Sequence, residues 1–93
     1  IVSKFNLIME SDRLRPDNII LVKVYEDTGA LAAESKGKGF HTVLEAINAT
    51  YDSMADDENK ADKEDYVFEV SNLTTGVSAR YRINAHGNLK LIV

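Results

Sequence analysis

Ninety-three residues, 44% hydrophobic and 28% charged, with one proline and no cysteine, suit one domain built on one core. The missing cysteine excludes a disulfide scaffold, a thiol nucleophile and every cysteine-ligated zinc or iron–sulfur centre. A formal charge of −4 argues against a nucleic-acid or anionic-membrane surface. No unbroken apolar run is longer than Ile19 to Val22, which falls far short of the roughly 20 residues of a membrane helix. The expected location is cytoplasmic. The chain opens on Ile1 rather than methionine, as a trimmed segment would.

Period-two alternation marks the first predicted strand, with Phe5, Leu7 and Met9 on one side and Lys4 and Asn6 on the other. After a loop through Arg13 to Asn18, a second strand runs from Ile19 to about Glu26. Its Ile20, Val22 and Val24 share one face, and Leu21, Lys23 and Tyr25 share the other. Asp27-Thr28-Gly29 reads as a hairpin turn, with Gly29 suited to positive φ. A short and weakly marked third strand follows over Ala30 to Ser35.

The helix carries the strongest local signal. Thr42-Val43-Leu44-Glu45 has the T-x-x-E form of a capping box. Behind it Leu44, Ile47, Tyr51 and Met54 recur at spacings of three and four, with Phe40 in register and Val43 widening the stripe. The helix is expected from about Thr42 to Asp56. Asp52, Asp56 and Asp57 oppose the helix dipole at its C-terminal end, so the last turn should fray.

Charge is concentrated in the next segment. Asp52 to Asp65 holds seven acidic residues against two lysines, a local net of −5. The other 79 residues therefore sum to +1, since −4 minus −5 is +1. An acidic mobile loop is expected at about 56–65, inside a single domain spanning 1–93.

The remainder reads as a meander. Tyr66, Phe68 and Val70 alternate with Val67, Glu69 and Ser71, and Asn72 to Gly76 turns the chain. Ala79, Tyr81 and Ile83 alternate with Ser78, Arg80 and Arg82, and a turn through Asn84 to Asn88 places Gly87 in a left-handed position. Leu89, Leu91 and Val93 form a last strand. The expected fold is α+β: a five- or six-stranded antiparallel sheet in the order β-β-β-α-β-β-β, with one helix packed on one face.

Catalytic groups are sparse. His41 and His86 fall beside the helix cap and in a hairpin loop, and no H-x-x-x-H, H-E-x-x-H or G-x-S-x-G arrangement occurs. Lys36-Gly37-Lys38-Gly39 ahead of the helix is a candidate phosphate cradle, but it lacks both G-x-x-x-x-G-K-[ST] and G-x-G-x-x-G. This corner loosely resembles the last helix of a double-stranded RNA-binding domain, whose phosphate-contacting lysines are replaced here by Thr42, Val43 and Glu45. The acidic segment fails the EF-hand pattern, because the loop counted from Asp56 has Lys60 fifth and Ala61 sixth. Asn48-Ala49-Thr50 and Asn72-Leu73-Thr74 match the glycosylation sequon, a pattern that recurs by chance. No cofactor and no metal ligand set is expected.

Strand parity supplies the more informative constellation. If the helix covers the face of Phe5, Leu7, Val22, Phe68, Tyr81 and Leu91, the opposite face carries Lys4, Lys23, Arg80, Arg82 and Lys90, interspersed with Leu21, Tyr25, Val67 and Ile92. Glu69 is the only clear counter-charge expected there. The favoured reading is a non-catalytic protein-binding or regulatory module, of subunit or inhibitor type. Its interface residues would be Lys23, Tyr25, Arg80, Arg82 and Lys90, and its partner a protein or a second copy of the chain. One alternative is a nucleic-acid-binding accessory domain, weakened because Tyr25 alone is placed to stack on bases. The other is a small-molecule enzyme, disfavoured because no residue set supplies acid, base and electrophile together.

Overall fold

The computed structural model describes residues 13–92. Five strands form one antiparallel sheet: β1 (Ile20–Tyr25), β2 (Leu31–Gly37), β3 (Val67–Asn72), β4 (Val77–Ile83) and β5 (Leu89–Ile92). Their order across the sheet is β2-β1-β3-β4-β5. The helix α1 (Val43–Ser53) connects β2 to the centre of the sheet, where β3 lies against β1. Among the described residues, the expected α+β fold, with one helix on an antiparallel sheet, is what forms. The strand expected around Phe5 to Met9 lies outside the described residues.

Register explains the core. Val22 pairs with Val70 and Val24 with Phe68, and Phe68 pairs in turn with Tyr81. These partners share a face, so Ile20, Val22, Val24, Phe68, Val70, Tyr81 and Ile83 line the side that α1 covers. All are buried.

The helix begins as its capping box requires. Thr42 is the N-cap, and its Oγ1 accepts the backbone N–H of Glu45 at 3.1 Å. Glu45 reaches back one residue further than expected, accepting the N–H of His41 at 3.2 Å. The helix stops at Ser53, short of Asp56. Acidic residues follow where the helix dipole would favour cations.

The phase of α1 differs from the expected stripe. Val43, Ala46, Ile47 and Thr50 are buried, while Phe40, Leu44, Tyr51 and Met54 flank the core partly exposed. Small side chains at 46 and 50 let the helix lie close to the strands. The Thr50 hydroxyl is accommodated there because it donates to Ala46 O at 2.9 Å and bonds the Ser35 hydroxyl at 2.7 Å.

β2 runs two residues past the expected end, to Gly37. The strand-to-helix corner is therefore the segment after it, where Gly39 adopts φ +95° and donates its N–H to Pro16 O at 2.8 Å. A non-glycine residue is strained in that conformation.

The connection from α1 to β3 carries the acidic run and a 3₁₀ turn over Lys63–Asp65. Two tyrosines tie it down. Tyr51 donates its phenol proton to Ala61 O at 2.8 Å, and Ala61 N donates to Tyr66 Oη at 2.9 Å. Lys63 Nζ donates to Asn48 Oδ1 at 2.9 Å, and Lys60 Nζ stands 4.3 Å from the centre of the Tyr51 ring.

Candidate functional site

The face of the sheet away from α1 is built by the alternate residues of the same strands. Across its middle runs the row Glu34, Lys23, Glu69, Arg80 and Ile92, each aligned with the next by strand register. On one side lies the row Lys36, Leu21, Ser71 and Ser78. On the other, Leu31, Tyr25 and Val67 align, and Arg82 pairs with Lys90. A register shift between Val24 and Tyr25 brings Leu31 opposite Tyr25.

All five interface residues expected from the sequence stand on this one face. Lys23 and Tyr25 are half-buried, and Arg80, Arg82 and Lys90 are exposed. Arg80 Nε donates to Glu69 Oε2 at 3.1 Å, and its guanidinium carbon lies 5.9 Å from the centre of the Tyr25 ring. Arg82 Nη2 reaches Asp27 Oδ1 at 3.4 Å. Ser78 Oγ donates to Ser71 Oγ at 2.8 Å, closing the polar end of the face.

Glu69 is not the only counter-charge. Glu34 stands in register with Lys23, and Asp27 reaches in from the β1–β2 turn to Arg82. Lys23, Lys36, Arg80, Arg82 and Lys90 set against Glu34, Glu69 and Asp27 leave the face basic by two charges. Exposed ion pairs of this kind contribute about 0–1 kcal/mol each. They orient the guanidiniums more than they stabilise the fold.

The remaining motifs are absorbed by local structure. His41 is exposed and lies 3.8 Å from Glu45, and His86 sits exposed in the β4–β5 turn. The N–H of Gly39, which a phosphate cradle would use, is already bonded to Pro16. Asn48 holds Lys63, and Asn72 Oδ1 accepts the N–H groups of Thr74 and Thr75 at 3.0 and 3.1 Å. No cluster of three or more metal-ligating side chains occurs among the described residues. Among them, too, no helix is long and apolar enough to cross a membrane. Comparison with protein-family models, curated proteins and solved structures finds no match for this chain.

Proposed function

We propose that this chain is a non-catalytic protein-binding or regulatory module, acting in the cytoplasm, whose working surface is the open sheet face. The observation that supports it is the mixture on that face: Leu21, Tyr25, Val67 and Ile92 are interleaved with five cations. Arginine and tyrosine are enriched where proteins meet, because a planar guanidinium pairs bidentately with carboxylates and both side chains offer flat apolar area. The partner that fits is an acidic protein surface with some apolar content. A second copy of the chain is one source, since its own 52–65 segment carries a net −5.

The test is sedimentation of the parent and of an Arg80→Gln/Arg82→Gln variant, across a concentration series at low and high salt. Glutamine keeps the side chains long without setting a like charge opposite Glu69. Stability should change by less than about 1 kcal/mol. A salt-sensitive dimer that the variant loses supports the second copy. An unchanged monomer directs the search to an acidic partner, read as salt-sensitive co-sedimentation with an Asp/Glu-rich polypeptide. Absence of both behaviours sinks the proposal for this face.

A further inference from the structure

The row across the middle of the open sheet face alternates in sign. From β2 to β4 it reads Glu34, Lys23, Glu69, Arg80: minus, plus, minus, plus. Only half of these charges are paired. Arg80 holds Glu69 at 3.1 Å, but Lys23 and Glu34 take part in no ion pair among the described residues, although they align. Glu34 is exposed and Lys23 half-buried. Arg13, where the described residues begin, is bridged to Thr42 at the helix cap, and Leu14 packs against the core. The described chain thus enters on the helix side of the sheet, away from this row.

An alternating row of four is complementary to its own reverse. When two copies stack face to face, the two-fold axis relating them lies in the interface, and the same patch serves both. An axis along the row would set each charge on its own equivalent, which is repulsive. An axis parallel to the strands, running between β1 and β3, reverses the row instead. Glu34 then faces Arg80 of the second copy and Lys23 faces its Glu69, each pairing occurring twice. The same axis sets Tyr25 on Val67 and Leu21 on Ser71, residues that are aligned or half-buried on this face. Lys36 and Lys90, the two cations left over, escape like charges. Lys36 comes opposite Ser78, and Lys90 on the edge strand β5 has no strand above it. Aligned sheets packed in this way keep their strands within about 30° of each other.

We propose that this face binds a second copy of the chain, face to face about an axis along the β1–β3 boundary. The inference rests on the open face being the working surface, and names its occupant. Four strands about 4.8 Å apart and about six residues long cover roughly 20 by 20 Å, at the low end for specific interfaces, so the dimer should dissociate at micromolar concentrations.

The test is sedimentation of the full chain over a concentration series reaching the millimolar range, beside Glu34→Lys and Arg80→Glu. Each variant brings like charges together at both symmetry-related places and should weaken the dimer by about tenfold or more. Mixed in equal amounts, the two variants should associate as the parent does, because each supplies the charge that the other lacks. Poly-glutamate separates this inference from the reading beneath it. Glu34→Lys adds a cation to the face and should bind poly-glutamate more tightly than the parent, whereas Arg80→Glu should bind it less tightly. A parent that stays monomeric overturns the second copy. If poly-glutamate then still follows that order, the face remains the working surface, and if it binds none of the three proteins, that reading falls too. A dimer that either variant leaves intact, or two variants that fail to combine, also overturns the proposal.

Discussion

The two faces of the sheet share every strand and yet are finished by different physics. On the helix side, Val22, Val24 and Phe68 are sealed from water, and the buried Thr50 hydroxyl has its partners. On the open side, Lys23, Tyr25 and Val67 are only half-covered, and charges meet in exposed pairs. One residue along a strand is thus enough to pass from a position that sets stability to one free to serve binding. A basic, partly apolar surface can change at the tips of its side chains without disturbing the core beneath it.

The largest effect should come from testing that contrast on neighbours in β3. Phe68 is fully buried, and its replacement by alanine should cost about 3–5 kcal/mol. The whole domain has only roughly 5–15 kcal/mol to lose. Val67→Ala, one residue away on the open face, should cost about 1 kcal/mol or less. Urea denaturation of both variants measures the difference. Equal costs would mean that the open face is buried as deeply as the core in solution, as it would be inside an obligate dimer.

A smaller effect is expected where the helix meets its cap. Thr42→Ala removes the acceptor for the Glu45 N–H and should cost about 1 kcal/mol, within the usual range for caps. Because α1 covers only one face, the loss should appear as weaker amide protection in its first turn and across the helix-side residues of β1. Protection spread evenly over β5 as well would show that the faces are not energetically distinct.

The contrast between faces was legible in the sequence because parity is local. Alternation over Ile20 to Tyr25, Tyr66 to Ser71 and Ser78 to Ile83 sorts each strand's residues into two sets, and this alone places Lys23, Tyr25, Arg80 and Arg82 together. Pairings that depend on distant chain segments were not legible. Glu34 falls inside the expected third strand, but its alignment with Lys23 is set by pairing to β1 and by the register shift between Val24 and Tyr25, neither of which the letters of that strand show. Asp27 reaches Arg82 across the sheet edge from a turn. The helix phase was hidden for a different reason: a stripe drawn through the largest apolar residues passes over Ala46 and Thr50, which are buried because they are small. The exposure of Val77, on the same side of β4 as the buried Tyr81 and Ile83, has no local sequence signal either.

An effect of the same size as the cap concerns the tether of the acidic segment beside these faces, and it sharpens what the helix side includes. Burial raises the Tyr51 phenol above its ordinary 10.0, with Asp62, Tyr66, Asp56 and Asp52 adding to the rise. Lys60 and Lys63, at 4.3 and 5.3 Å from the ring centre, are the cations that face it. A folded pKa above the unfolded one means that the unfolded chain gives up this proton first as pH climbs through about 10. The folded state then holds more protons, so its stability is fully present below that pH and declines above it. Tyr51→Phe removes both the titration and the hydrogen bond to Ala61. It should cost about 1 kcal/mol near neutrality and flatten the alkaline decline. Denaturation of parent and variant at about pH 8 and about pH 10.5 separates the two contributions. Backbone relaxation should then show residues 56–60 mobile in both proteins, with 61–66 loosened only in the variant. If 61–66 are equally mobile in the parent, the two tyrosines do not hold the segment, and the helix side ends at Met54.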